Sequence, residues 1–329
     1  MGKPLTGVEF GSAGIHLAAA KDGVITKTLT VALPEGLVSD GRITSLDAAG
    51  DFVKKLFREN RGFPKDIAIV LSPSESLVRT LDMPPMSEKE LLINLPYEFR
   101  DYIAQGKDRY SFDYAMLGVE YDEDDKPVSM HVLGCAAPKQ TIKDYEDLFA
   151  RAGMNLRAAV PLSASYQEMM QEQAADRTVC LLDLGNSYTR LFFFDHGSLS
   201  VSRNIEVAGR DIDRAIAAEL NVDEFIAAGY KQNNYNGVLD SEQVTNVYTD
   251  IAVEIGRAMN FYAFSNPDLT MDAIYYCGGC TCIPQLLDRI RDQVSVPLLS
   301  AAELLNNVPE DDPSMLCMAA SCVALGGVN

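Results

Sequence analysis

Basic residues are scarce in this chain: 28 lysines and arginines stand against 47 acids, for a formal charge of −19. That deficit excludes a nucleic-acid backbone as a partner, because few cations are available to displace its counterions. Basic peptides, or basic faces of other proteins, suit such a surface better. Long apolar runs are also missing. The longest, such as MLCMAASCVALGGV, are too short to span a bilayer, and no charged-then-apolar leader follows Met1. The expectation is a cytoplasmic protein with no direct membrane insertion. The seven cysteines are odd in number, which favours reduced thiols over a disulfide framework. Cys277, Cys280 and Cys282 in CGGCTC lack the second ligand pair that a structural zinc needs, since Cys317 and Cys322 fall in an expected helix. They read as small apolar residues packed at a Gly–Gly turn. Only three histidines occur. His16 and His131 fall on expected strands and His196 at a hairpin tip, where satisfied or exposed rings are the simpler reading.

What is present is ordered. With 47% apolar and 23% charged residues, 329 residues suffice for two domains with proper cores. The stretch LLDLGNSYTRLFFFDHG, residues 181–197, sets two runs of strand formers around a short Gly/Asn/Ser segment, which predicts a β-hairpin. VEFGSAGIHLAAAKDG, residues 8–23, has the same layout. Laid over each other without gaps, they match Glu9 with Asp183, Gly11 with Gly185, His16 with Arg190 and Gly23 with Gly197. A duplicated unit is implied.

In each half the hairpin is followed by a third strand and a helix, so the order β-β-β-α occurs twice. The first helix is expected over 45–60 and the second in GRDIDRAIAAEL, with Ile212, Ile216 and Leu220 on one face. After the strand KDIAIVLS the pattern changes. A strand ending in LDM leads to a helix capped by a Ser87/Glu90 capping box, which Pro96 should interrupt or kink. Tyr97, Phe99 and Tyr102 form an aromatic stripe expected to be core. Strands YSFDYAMLGVEY and PVSMHVLGCAA follow, joined by the acidic, solvated tip DEDDK. Helices over 141–152 and 161–174 flank the strand NLRAAV. Further on come a helix over 241–264, the strand MDAIYYC, a helix through Arg291 and a strand near Pro297. The last helix is expected over 313–325 with Asp312 as N-cap. The expected domains are a first lobe over 1–174 with an inserted subdomain over about 76–159, and a second lobe over 175–312 with a helical subdomain over about 221–268. The segment 313–329 is expected to return to the first lobe.

A tight Gly-containing turn whose N–H groups converge makes an anion nest. Gly11 with Ser12, Ala13 and Gly14, and Gly185 with Asn186, Ser187, Tyr188 and Thr189, are the two candidates. In the second, Asn186, Ser187 and Thr189 add side-chain donors. The acids before the glycines, Glu9 and Asp183, repel phosphate and suit Mg²⁺ held through water. Gly209 starts a helix, where orphan N–H groups favour an anion, and Gly278–Gly279–Cys280 leads a strand end into another. Asp211 and Asp213 read as helix N-terminal acids stabilised by the dipole.

The segments VEFGSAG, LLDLGNSYTR, AGRDID and YYCGGCTCIPQL resemble the phosphate and adenosine segments of the superfamily of actin, DnaK-type chaperones and sugar kinases. LPEGLVSDGRI, LDMPPMSEKEL, FDYAML and EIGRAMNFYAF resemble the family of PilM, actin-like proteins of type IV pilus assembly, over nearly the whole chain. The resemblance implies an α/β, actin-like (ribonuclease H-like) duplicated fold: two lobes around a nucleotide cleft, with an inserted α+β subdomain in the first. It implies ATP and Mg²⁺ as ligands, with His16 and Arg257 added to the site residues above. Implied partners are the short cytoplasmic tail of a PilN-like bitopic membrane protein, which would hold the chain at the inner face of the plasma membrane, and the pilus assembly ATPase. The tail groove is expected where the inserted subdomain meets the first lobe, with apolar walls. Glu9 stands where the superfamily usually has Asp, His16 where PilM-type chains often have Lys, and Cys280 where Gly is common, which implies slow hydrolysis at most. A small-molecule kinase of the superfamily and an FtsA-like filament protein are the alternative readings.

Overall fold

The structure is a computed structural model that describes residues 3–39, 41–305 and 313–326. Asp40 and the expected N-cap Asp312 lie outside the described residues. The chain divides into two compact units, Met1–Glu168 with Ala319–Asn329, and Met169–Met318.

In the first unit, strands β1 (Leu5–Phe10), β2 (Gly14–Lys21) and β3 (Val24–Ala32) form an antiparallel meander. The short strands β4 (Val38–Ser39) and β5 (Arg42–Ile43) precede helix α1 (Leu46–Glu59). Ser45 caps that helix through Ala48 N, and Ala49, Val53 and Leu56 are its buried stripe. β6 (Asp66–Leu71) then pairs parallel to β1. It reads DIAIVL because a parallel strand covered on both faces needs continuous apolar sequence.

β7 (Leu77–Met83), α2 (Glu88–Glu98), β8 (Tyr110–Tyr121) and β9 (Pro127–Pro138) make a separate sheet of order β7-β9-β8, with the helix on its buried face. The Ser87/Glu90 capping box forms. α2 runs through Pro96, which lies in its last turn, and buried Leu91, Leu95 and Phe99 hold it there. The aromatic stripe divides: Phe99 is buried, whereas Tyr97 and Tyr102 are each 53% exposed. The three residues span more than one helical face. The acidic tip is exposed, and Asp122 folds it locally by accepting from Asp124 N and Lys126 N, each at 2.9 Å. α3 (Lys139–Arg151) leads into β10 (Asn155–Pro161), which completes the main sheet in the order β10-β6-β1-β2-β3. The helix expected over 161–174 is broken at buried Tyr166 into α4 (Leu162–Ser165) and α5 (Gln167–Gln173).

The second unit repeats the plan. β11 (Thr178–Leu184), β12 (Thr189–Asp195) and β13 (Ser198–Ile205) form the meander, and α6 (Gly209–Leu220) follows. Next come α7 (Glu224–Asn233), α8 (Glu242–Ser265), β14 (Ala273–Cys277), α9 (Pro284–Gln293) and β15 (Leu298–Ser300). The sheet order β13-β12-β11-β14-β15 repeats that of the first sheet strand for strand. Its core runs from Leu182, Leu191 and Phe193 to Ile212, Ile216, Ile255 and Ile290. The final segment is a 3₁₀ turn, Pro313–Cys317, followed by α10 (Met318–Leu325). Within the first unit, α10 lies so close to β1 that a methyl group on Gly7 would overlap the Ala320 carbonyl.

Candidate functional site

The second hairpin gathers the chemistry. β11 delivers Asp183 opposite Arg190 on β12 and beside Cys277 on β14. Arg190 Nη1 lies 3.3 Å from Asp183 Oδ2, and both side chains are largely buried. Gly185 N–H donates to the Tyr188 carbonyl at 3.1 Å and closes the turn. The turn then ties itself to α6: Gly185 O accepts from Gly209 N at 3.1 Å, and Asn186 O from Arg210 N at 2.8 Å. The first two N–H groups of α6 are therefore engaged by the turn, not open to an anion as the sequence suggested. Thr189 is also not a ligand donor; it is buried, and its hydroxyl donates to Val207 O at 3.0 Å. Asn186, Ser187 and Tyr188 are half-buried, and their N–H groups take no part in closing the turn.

Two glycines permit this packing. Gly278 has φ +96°, and a Cβ there would stand 2.5 Å from Asp183 Oδ1 and 2.8 Å from Leu184 O. Only glycine combines that dihedral with that approach. A Cβ on Gly209 would stand 2.5 Å from Cys280 Sγ, and 3.2 Å from both Asn186 Cα and Gly185 O. Cys280 thus plugs the joint between turn and helix, its thiol directed to Gly185 O at 3.5 Å. Burial pushes that thiol up to about 12. Gly279 faces open space.

Beneath the joint lies a pair that the sequence reading missed. Lys231 on α7 reaches Asp213 Oδ1 at 2.8 Å and the Gly209 carbonyl at 3.2 Å. The two side chains are 13% and 8% exposed. Asp211 behaves as read, accepting from Ala208 N at 3.0 Å. Asp213 does not: it points into the fold, where burial raises its pKa against the opposing pull of Lys231. The signal for α7 was in its caps, Asp223 before it and Lys231 in its last turn.

The first hairpin closes in the same way, Gly11 N donating to Gly14 O at 2.9 Å. Glu9 stands opposite His16, and His16 Nδ1 meets Thr30 Oγ1 on β3 at 3.0 Å. Ser12 and Ala13 are exposed at its tip, and Gly14 is buried. Arg257 lies on an exposed face of α8 with Glu254 as its ion-pair partner. Among the described residues no group of three or more His, Cys, Asp or Glu side chains could hold a metal ion, and no helix is long and apolar enough to cross a membrane.

The first unit has its own cavity of about 740 Å³, lined by residues of α1, β5, α3 and the inserted segment, among them Arg42, Asp47, Glu75, Gln105, Tyr110 and Tyr145. Buried Glu75 accepts from Tyr145 Oη at 2.9 Å, and from Ser72 N and Oγ at 3.0 and 2.9 Å. Asp47 and Arg151 pair across its rim. These walls are more polar than the sequence suggested, because α1 and α3 present their charged faces here.

No curated protein sequence matches the chain. Among solved structures, the PilM–PilN type IV pilus biogenesis complex is similar over 99% of this chain and 98% of that one, with TM-score 0.77 and 20% identity. The ethanolamine utilization protein EutJ from Carboxydothermus hydrogenoformans is similar over 99% and 90%, with TM-score 0.62 and 13% identity. MreB 5 of Spiroplasma citri, bound to AMPPNP, is similar over 96% and 94%, with TM-score 0.53 and 12% identity. At these identities the likeness establishes the fold, the actin-like ATPase fold. The family model for the type IV pilus assembly protein PilM spans residues 7–320, nearly the whole of the repeat, the inserted sheet and both hairpins, and the chain belongs to that family.

Proposed function

We propose that this type IV pilus assembly protein is an ATP-binding scaffold that holds nucleotide phosphates at the Gly185 turn and captures the short cytoplasmic tail of a PilN-like bitopic membrane protein. The observation that carries the first half is the Gly185–Gly209–Gly278 joint. Two glycines there admit backbone where any side chain would collide, and the turn between them keeps the Asn186, Ser187 and Tyr188 N–H groups out of its own closure. Such a nest suits a phosphate group. Asp183 is held by Arg190 on one oxygen and crowded by Gly278 at the other. It fits a Mg²⁺ ion only through water, and the ion would supply charge neutralisation of the phosphates. With its carboxylate so engaged, Asp183 is poorly placed to activate water, which favours slow hydrolysis at most. Support from relatives is that MreB 5 binds AMPPNP in the same fold.

The second half rests on the PilM–PilN complex and on the cavity at the inserted segment. Its floor carries Glu75 and its rim Arg42, Asp47 and Arg151, so it suits a peptide with polar backbone contacts and a basic group. Binding on the order of −8 kcal/mol, a micromolar-scale affinity, is expected. The charged rim makes that binding salt-sensitive. Calorimetry with Mg-ATP tests the first half, and fluorescence anisotropy with a labelled PilN-like N-terminal peptide at two salt concentrations tests the second. No heat with Mg-ATP, or no peptide binding at either salt, would overturn the corresponding half.

A further inference from the structure

Helix α7 turns little of itself inward. Ala227 is its buried residue, and Lys231, one turn on, reaches in to Asp213. The opposite side is open and apolar: Phe225 is 70% exposed and Ile226 45%, and just past the helix Tyr235, stacked on Tyr230 at 4.2 Å, is 45% exposed. Phe225 and Gly229 stand one turn apart on this outward face. Gly229 is the residue that asks for a reason. An exposed glycine inside a helix is less stable than alanine, because it loses more backbone freedom on folding. The glycines in the other α-helices have neighbours that account for them: a Cβ would meet Leu148 O at 3.7 Å from Gly50, Cys280 Sγ at 2.5 Å from Gly209 and Gln293 Nε2 at 2.9 Å from Gly256. At Gly229 a Cβ would meet nothing within 4 Å, so no described residue uses the gap.

We infer that the outward face of α7 is a contact between two copies of this chain, in which the Phe225 ring of each copy lies over the Gly229 gap of the other. Charge selects this occupant. At a formal charge of −19, two copies repel across most of their surfaces. The stretch from Phe225 to Leu239 contains no acid, and its one cation, Lys231, is turned inward. Beside Phe225 and Gly229 the outward side chains are Ile226, Gln232 and Asn233, so this face can meet its own copy without setting like charges together. It is also self-complementary. Two α7 helices packed antiparallel about a two-fold axis at Ala227 exchange positions 225 and 229, which places knob over gap twice, as an isologous contact requires. A helix of ten residues is only about 15 Å long. The contact is therefore small, and the dimer dissociates readily, with a Kd on the order of 100 µM.

The test is sedimentation velocity of the full chain over a range of concentrations at low and high salt, with thermal denaturation of the dilute protein as a second readout. The parent should dimerise, and severalfold more tightly at high salt, because salt screens the net repulsion and leaves an apolar contact in place. Phe225→Ser should weaken the dimer about tenfold, as truncation of a central aromatic does. Gly229→Ala should act in two opposite directions. Its methyl enters open space in the monomer and favours the helix, so the Tm of the dilute protein should rise. The same methyl fills the gap beneath the Phe225 ring, so the dimer should weaken about tenfold. A parent that stays monomeric at the highest soluble concentration overturns the inference and leaves the face to a different partner. A dimer that both variants leave unchanged, or one that dissociates as salt rises, also overturns it, because the contact then lies elsewhere or is held by charge.

Discussion

The two hairpins share a backbone and differ in their electrostatics. Each closes by the same bond, Gly11 to Gly14 and Gly185 to Tyr188, and each sets an acid opposite a basic side chain, Glu9 to His16 and Asp183 to Arg190. In the second, Arg190 Nη1 lies 3.3 Å from Asp183 Oδ2; in the first, a histidine takes the arginine's place, and its Nδ1 meets Thr30 Oγ1 on the next strand at 3.0 Å. The second turn is also bonded to a following helix by two backbone hydrogen bonds, while the tip of the first is exposed. Duplication therefore kept the turn, which glycine geometry dictates, and let the charges diverge. The glycine repeat alone does not make the turns equivalent sites. The strands below the turns diverge too: β1 carries Gly7 where β11 carries Leu181, because the backbone of α10 occupies the place of a side chain over β1.

The largest effect should come from that last difference. Gly7→Ala forces α10 off β1 and should destabilise the protein by about 3 kcal/mol, as overpacking of a tight contact does. Thermal denaturation measures it, and an unchanged Tm would show that the helix yields freely. Gly209→Ala comes next. Its methyl must displace Cys280 and press on Gly185 O, and ATP affinity should fall about tenfold, with the fold kept. Gly14→Ala in the first hairpin, where a Cβ would meet Val31 O at 3.2 Å, should leave ATP affinity nearly unchanged in the same calorimetry. Equal losses in both variants would erase the distinction between the turns.

The smallest effect lies in the inserted sheet. His131 sits between Asp82 Oδ1 at 2.5 Å and Glu120 Oε1 at 3.2 Å. The hydrogen bond to Asp82, with a smaller one to Glu120, raises its pKa above the ordinary 6.5. Since the folded value is the higher one, the stabilisation is fully present below that ordinary value and is lost as pH rises through the raised value. At a site this exposed it should stay below about 1 kcal/mol. Denaturant titrations of the parent and His131→Asn across that pH window should converge at high pH, with or without Mg-ATP. A nucleotide-dependent difference would link this sheet to the turns.

Much of the fold was legible because its signals are local. The repeated strand–Gly–strand pattern, the Ser87/Glu90 box and the Ile212/Ile216 stripe each specify their element through neighbouring residues. The misses are tertiary. Pro96 does not break α2, because buried Leu95 and Phe99 hold the last turn. Tyr97 and Tyr102 are exposed, Tyr97 beside the Lys107 ammonium at 4.0 Å and Tyr102 beside the Arg79 guanidinium at 3.8 Å. At the site, the glycines could be read from sequence, but the use of the Gly209, Arg210 and Thr189 donors could not, since their acceptors are set by how β13 and α6 return to the turn. Lys231 escaped notice because α7 is mostly exposed, with Ala227 its only buried residue, and so lacks the apolar period that marks a helix.

The central claim is that the second hairpin is the phosphate turn, and the most direct measurement is the Mg-ATP-dependent rise in melting temperature for the parent, Asp183→Ala and Glu9→Ala. ATP that binds only the folded state must raise Tm by mass action. The parent should show the rise, and Asp183→Ala should lose most of it, from a lower ligand-free Tm because Arg190 is left without its largely buried partner. Glu9→Ala should lose less. An Asp183→Ala protein whose ATP-dependent rise equals the parent's, or a parent with no rise at saturating Mg-ATP, would contradict the claim.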